Sequence, residues 1–345
     1  MNFIRKLLFP FSILYGIITS LRNFLFDKGI LKSYSFNLPI ISVGNLSVGG
    51  TGKTPQIEYL IRLLSDNYKV ATLSRGYKRK SNGFVLANAS ANAEILGDEP
   101  FQMYKKFPKI QVAVDANRKN GIEQLLSKTE KPQVILLDDA FQHRKVKAGF
   151  YILLTSYNDL FSDDFILPTG NLRESRSGAK RADLVIVTKC PRTISELEQK
   201  KISDDLKCYL SENKKNQIYF SFIDYDKTIY SNTKEIKVED IKTETKLLVA
   251  GIAKPESFFN YLKTENDTIL EYNDHHNFTD SDILSIKNKA QNSVIITTEK
   301  DYVRLNDKLQ SDTLFYLPIK SSFINNSDTF DQIILEYVGR SSRNR

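Results

Sequence analysis

The stretch Ile40-Ile41-Ser42-Val43-Gly44-Asn45-Leu46-Ser47-Val48-Gly49-Gly50-Thr51-Gly52-Lys53-Thr54 begins as an apolar strand and ends as a glycine-rich loop closed by Gly-Lys-Thr. This order predicts a phosphate cradle. Glycines lack the Cβ that blocks close approach, so successive backbone N–H groups can point at phosphate oxygens. Lys53 has the reach for β- and γ-phosphates, and the Thr54 hydroxyl is placed to sit on Mg²⁺. A helix starting near Thr54 adds its positive dipole end to the same anion. Ser47, Val48, Gly49, Gly50, Thr51, Gly52, Lys53 and Thr54 are therefore the candidate nucleotide-binding residues. The loop departs from G-x-x-x-x-G-K-[ST] at its first position, which is Ser47, leaving Gly49 and Gly50 to supply the flexibility.

Working outward, Val134-Ile135-Leu136-Leu137-Asp138-Asp139 is a short apolar run ending in two carboxylates. Buried parallel strands read as continuous hydrophobics, and an α/β sheet places its ligands at their carboxyl ends. An aspartate there holds Mg²⁺ directly or through water. Loop and carboxylates together predict a nucleoside triphosphate site.

Further strands are expected at Lys69–Leu73, Ile110–Val114, Tyr151–Thr155 and Leu184–Thr188, with helices at Gln56–Ser65, Asn117–Ser127 and Glu196–Glu212. Strands separated by helical stretches imply a parallel sheet covered on both faces. The fold class is thus α/β, a P-loop NTPase-type parallel sheet with helices on both faces. A second, smaller α/β lobe starts with the strand Leu247–Ala250. Expected boundaries are an N-terminal helix over 1–30, a P-loop domain over 31–212, a lysine-rich connector over 213–246 and the smaller lobe over 247–335. A chain of 345 residues exceeds one ordinary domain, in keeping with this division.

The N-terminus is distinctive. Residues 7–21, LLFPFSILYGIITSL, carry no charge but fall short of the roughly 20 residues that span a bilayer, and Pro10 interrupts them. Ile4, Leu7, Phe11, Leu14, Ile18, Leu21 and Leu25 recur at helical spacing, while Arg5, Ser12, Thr19 and Asn23 fall toward another face. This predicts an amphipathic helix lying in an anionic membrane surface with cations at the headgroups. A helix docked on the protein's own sheet is the alternative.

The net charge of +8 and pI near 9.1 point to a polyanionic partner. The lysines are scattered, no aromatic–basic interleaving occurs and no reader motif is present, so nucleic acid is not expected. Cys190 and Cys208 make neither a disulfide framework nor a zinc set. Gly97-Asp98-Glu99-Pro100 places two carboxylates before an aromatic helix, where Asp98 serves either as a helix cap or as a general base. Asp138-Asp139-Ala140-Phe141-Gln142-His143-Arg144 mixes carboxylates with cations, as phosphoryl transfer requires. A membrane-recruited P-loop ATPase switch also accounts for the loop and the amphipathic end, but gives no role to residues 97–100.

Together these segments resemble the tetraacyldisaccharide 4′-kinase (lipid A 4′-kinase) family. The matching blocks are Gly44 to Pro55, Ser74-Arg75-Gly76-Tyr77, Gly97-Asp98-Glu99-Pro100 and Asp138 to Arg144. Others are Leu167-Pro168-x-Gly170-x-Leu172-Arg173-Glu174, Gly251-Ile252 with Pro255 and Phe258-Phe259, Asp274-His275, and Thr298-Glu299-Lys300-Asp301. They fall in the family's order over about residues 5 to 320, and Ser47 is similar to the family's own variant. Ala140 stands where the family usually has glycine, and Ser175 where it has proline.

The resemblance implies transfer of the γ-phosphate of ATP to the 4′-hydroxyl of a tetraacylated glucosamine disaccharide 1-phosphate. It places a monomeric enzyme, with ATP and Mg²⁺, at the cytoplasmic face of the bacterial inner membrane. It makes Asp98 the catalytic base, supported by His275, and puts Asp139 among the catalytic residues. Thr54 and Asp138 become metal ligands, and Arg75, Tyr77, Glu99, Arg118 and His143 substrate contacts.

Overall fold

A computed structural model describes the chain except residues 1–4, 6, 216, 275, 292, 344 and 345. Ile4 and His275 therefore lie outside the described residues. The chain divides into two compact units, residues 1–223 with 321–345, and residues 224–320.

Fifteen strands are described, in chain order β1 Ile40–Asn45, β2 Val70–Ser74, β3 Val85–Leu86, β4 Gln111–Val114, β5 Val134–Asp138, β6 Phe150–Ser156, β7 Leu184–Thr188, β8 Ile218–Tyr225, β9 Thr228–Tyr230, β10 Glu235–Lys237, β11 Lys246–Ala250, β12 Thr268–Glu271, β13 Val294–Thr298, β14 Leu314–Leu317 and β15 Ile319–Phe323. The first unit holds a nine-stranded sheet in the order β15-β8-β7-β6-β1-β5-β2-β4-β3. From β4 through β8 its neighbours are parallel, and β3 joins antiparallel at the edge.

Both faces of this sheet are covered, and the pleat shows why the strands read as unbroken hydrophobics. Alternate side chains of a strand point to opposite faces. Ile41, Val43, Val134 and Leu136 enter one core cluster with Ile57, Leu60, Ile61 and Met103. Ile40, Ile135 and Leu137 enter another with Ile122 and Leu125. Four helices matter to the site: α1 Phe9–Asp27, α2 Lys53–Leu64, α3 Asp98–Lys106 and α4 Arg118–Leu126.

β8 comes from the stretch read as a connector, and it pairs with β7. β15 and the closing helix Ser327–Arg343 return to the first unit, where Phe330, Ile334 and Val338 recur every four residues in its core. The second unit has its own six-stranded sheet, β10-β9-β14-β13-β11-β12, parallel from β12 to β14. It packs between two clusters, one around Phe258 and Phe315, the other around Phe278 and Leu305.

The N-terminal helix docks by its polar side. Ser12 Oγ donates to Thr169 Oγ1 at 2.7 Å, Tyr15 OH to the Arg173 carbonyl at 3.1 Å, and Asn23 Nδ2 to Glu174 Oε2 at 2.6 Å. Arg144 grips its end through the Asn23 carbonyl and Asp27. Phe9, Phe11, Leu14, Ile18, Leu21 and Phe24 remain 49–62% exposed. A helix docked as an ordinary core element buries its apolar stripe; this one presents it outward.

Candidate active site

The phosphate loop and the paired aspartates leave the sheet side by side. β1 and β5 are parallel neighbours, with Val43 opposite Asp138, so the segments following them emerge at the same edge. Lys53 Nζ lies 3.6 Å from Asp139 Oδ1 and 3.4 Å from Asn45 Oδ1. Asn45 Nδ2 in turn donates to the Ser47 carbonyl at 2.7 Å. The left-handed turns of the loop fall at Gly49 (φ 110°) and Gly52 (φ 81°), where only glycine turns without strain. Ser47 needs no such freedom: it bridges to Leu172, and Val48 N donates to the Asn171 carbonyl at 2.8 Å. Thr188 Oγ1, at the end of β7, donates to the Thr51 carbonyl at 2.8 Å, and Lys189 Nζ donates to the Gly50 carbonyl.

Burial and neighbours split the two aspartates. Burial pushes the Asp138 carboxyl up to about 6 against the pull of Lys53, with Asp139 and Glu99 adding to the rise. Its Oδ1 is buried with no hydrogen-bond partner among the described residues. Burial also acts to raise Asp139, but Lys53 and Arg173 outweigh it and hold the group below the usual carboxylate range. Arg173 Nη1 reaches both Asp139 oxygens at 3.1 Å.

Arg118 is 3% exposed and donates to the Asp115 carbonyl at 2.6 Å and the Asp138 carbonyl at 3.2 Å. It braces the strand that carries the aspartates. Burial, helped by Arg118 and Lys145, lowers His143 to about 4, so its imidazole is neutral near pH 7.

The loop that follows β2 and the turn that opens α3 are pressed together. Gly97 has φ 92°, and a Cβ there would lie 3.0 Å from the Tyr77 carbonyl; one on Gly76 would lie 2.8 Å from the Leu96 carbonyl. This approach brings the backbone at Gly76 and Tyr77 against the start of the helix that Asp98 opens. Tyr77 is 64% exposed. The cap position of α3 is Gly97, which has no side chain to cap with, and Asp98 is the first helical residue. Capping is therefore not what an aspartate does at this position.

The blocks over Asp138–Arg144 and 167–174 close on each other. Gln142 Nε2 donates to the Asn45 carbonyl at 2.8 Å and to Glu174 Oε1 at 3.0 Å, and Arg181 pairs with the same oxygen at 2.7 Å. A sequence model of the family described as tetraacyldisaccharide-1-P 4′-kinase matches residues 4–339.

The chain belongs to the tetraacyldisaccharide 4′-kinase family.

It is similar over its whole length to a Flavobacterium psychrophilum protein named tetraacyldisaccharide 4′-kinase, at 70% identity with all of each chain covered. A Bacteroides thetaiotaomicron protein of the same name is 47% identical, over 99% of this chain and 95% of its own. Among solved structures, LpxK from Aquifex aeolicus, crystallised in complex with ATP, aligns with a TM-score of 0.77 at 31% identity, over 97% of this chain and 99% of that one. The chain is accordingly a phosphotransferase of lipid A biosynthesis.

Two departures from the tetraacyldisaccharide 4′-kinase pattern fit their places. After β5 the left-handed residue is Asp139 (φ 47°), and aspartate tolerates that region better than most side chains. Ala140 is simply buried in the core beside Leu137. Ser175 has φ −57°, close to the value a proline imposes, and its hydroxyl accepts from Ser177 N.

In the second unit the family block Thr298-Glu299-Lys300-Asp301 is structural at both ends. Thr298 caps the helix that follows, and the buried Asp301 accepts from Gly251 N at 2.8 Å. His276 bonds Asp282 at 2.9 Å and stacks on Tyr272, so that ring is already engaged. Sequence reading did not place Asn45, Gln142, Arg173, Glu174, Thr188 and Lys189 in the candidate site. The first four lie inside the blocks 44–55, 138–144 and 167–174, while Thr188 and Lys189 carried no such signal, since no spacing rule links residues that meet across a sheet edge.

Proposed function

We propose that the chain transfers the γ-phosphate of ATP to the 4′-hydroxyl of a tetraacylated glucosamine disaccharide 1-phosphate at the cytoplasmic membrane surface. The reading rests on the neighbouring exits of β1 and β5, which bring Lys53 to within 3.6 Å of an aspartate held ionised. The backbone of residues 47–54 cradles the triphosphate, and Lys53 neutralises the γ-phosphoryl as charge develops. Asp98 takes the proton of the 4′-hydroxyl as the new O–P bond forms and the bond to the β-phosphate breaks, releasing ADP. Asp139 keeps Lys53 aimed, and Arg173 keeps Asp139 ionised.

Thr54 and Asp138 would hold Mg²⁺; the unpartnered Asp138 Oδ1 is the atom that fits this role. When bound, the cation offsets charge on the triphosphate oxygens. Arg75, Tyr77 and Glu99 contact the acceptor, Arg118 acts through its brace on Asp138, and neutral His143 offers a hydrogen bond rather than a charge.

The outward apolar stripe of α1 seats the enzyme on the bilayer that holds its acceptor. An apolar groove of about 640 Å³ runs along it, lined by Phe9, Ile13, Ile17, Leu21, Phe165 and Ile166. Leu14→Gln with Ile18→Gln should weaken sedimentation with anionic vesicles about tenfold or more, because two side chains no longer enter the acyl region. Both are exposed, so folding should be unaffected; unchanged sedimentation would remove the membrane role of this face.

The burial that raises Asp138 also predicts a stability effect. Its folded-state pKa lies above the unfolded value, so the folded state is favoured at low pH and that advantage is lost as pH rises through about 6. Without nucleotide and with a chelator present, Asp138→Asn should therefore stabilise the protein at pH 8, by up to about 3 kcal/mol. The difference should vanish near pH 4. Urea denaturation at both pH values reads it; a destabilised variant at pH 8 would contradict the burial argument.

The function is tested with γ-labelled ATP, Mg²⁺ and detergent-dispersed acceptor, followed by chromatography of the extracted lipid. Label is expected in the lipid. Label recovered only as inorganic phosphate would overturn the assignment.

A further inference from the structure

Glu58 is 2% exposed and lies on α2, five residues beyond Lys53, yet nothing in phosphoryl transfer calls for a carboxylate there. Its Oε2 takes Lys106 Nζ at 2.7 Å and Arg62 Nη2 at 2.9 Å, and its Oε1 accepts from Gln102 Nε2 at 3.4 Å. Gln102 and Lys106 belong to α3, the helix that Asp98 opens. Asp98, Gln102 and Lys106 recur every four residues, so they run along one stripe of that helix. At 1.5 Å per residue, Gln102 sits about 6 Å along the axis from Asp98, and Glu58 about 7.5 Å from Lys53. One buried carboxylate thus ties the nucleotide helix to the base helix on two successive turns, a short way behind the working end of each.

Ile57, Ile61 and Met103 share one core cluster, and apolar burial of this kind is non-directional. Charge-assisted hydrogen bonds to a buried carboxylate have narrow geometry and exclude neighbouring registers. We infer that Glu58 is a positioning residue, which holds the Asp98 end of α3 at a fixed reach from the phosphate held by Lys53. The inference rests on Asp98 acting as the base. A displacement of about 1 Å at reacting groups lowers rates by about 100-fold, so loss of the tie shows in turnover before it shows in nucleotide binding.

The test is a cycle of variants in the full-length enzyme, assayed well below their melting temperatures. Glu58→Gln keeps the shape and an oxygen for Gln102, and weakens the link to Lys106. It should lower kcat about 10- to 100-fold, with KM for ATP within about threefold of the parent. In an Asp98→Asn background the same change should matter less than about threefold, because the base it positions is gone. An equal loss in both backgrounds would overturn the inference. Parental turnover in Asp98→Asn alone would instead remove the base assignment, leaving the Glu58 effect to be read by itself.

Glu58→Met with Lys106→Met separates positioning from stability. A buried ion pair replaced by apolar side chains of similar volume commonly keeps its stability, and Arg62, which lies over the Phe107 ring, is free to turn toward solvent. This variant should melt near the parental temperature and still show the kcat loss. Parental melting with parental kcat would show that packing alone sets the register.

Discussion

Asp98→Asn should lower lipid phosphorylation by about 10²–10⁴-fold, the range for a lost general base, and leave ATP binding at its parental level. The size follows from the acceptor. A sugar hydroxyl is a poor nucleophile until its proton is taken, and the two aspartates at the end of β5 are committed elsewhere. Asp139 is engaged by Lys53 and Arg173, and Asp138 is buried beneath them. Gly97 already occupies the cap position, so the substitution removes no cap, and asparagine has nearly the same shape. Steady-state kinetics with both substrates, together with nucleotide binding by calorimetry, separate the outcomes. Turnover within a few-fold of the parent would take the base role from Asp98.

Lys53→Ala should reduce turnover by about 10²–10³-fold, the usual effect of removing one preorganised charge partner from a developing oxyanion, and raise KM for ATP as well. Both parameters move because Lys53 holds the ground-state triphosphate and the transition state alike. The variant also frees Asp139 from one of its two cations, with Arg173 still bound at 3.1 Å. Adding Arg173→Ala should then raise the Asp139 pKa toward the level burial favours. An unchanged KM for ATP in Lys53→Ala would mean that the glycine-rich loop does not hold the nucleotide.

Much of the candidate phosphate loop was legible along the chain because its signals are local. A strand buried on both faces has to be apolar throughout, so Ile40–Val43 and Val134–Leu137 identify themselves. Glycine placement marks the loop, since positive φ at 49 and 52 excludes most other residues. The second half is non-local. Glu174 reads as an unremarkable turn residue, yet it is 2% exposed and joins Asn23 of the N-terminal helix to Gln142 and Arg181. Asn23 and Gln142 lie 151 and 32 residues away, beyond any helical or strand period. The paths of β8, β15 and the closing helix were hidden for a similar reason. Lysines and short aromatic runs flank them, and their place in the first unit follows from edge pairing and core contacts made far along the chain.

The sequence by itself determined the P-loop α/β class, the cradle with its lysine, the carboxylates at the end of β5 and an N-terminal helix with one apolar face. These are consequences of backbone freedom and of hydrophobic period, which act within a few residues. Tertiary structure alone decided that α1 turns its polar side inward, that Asp139 is held ionised while Asp138 is driven toward its protonated form, and that Glu58 grips the helix carrying Asp98. Each of these depends on burial and on charges brought together from distant segments, and desolvation and Coulomb interaction become large only once the chain has closed around them.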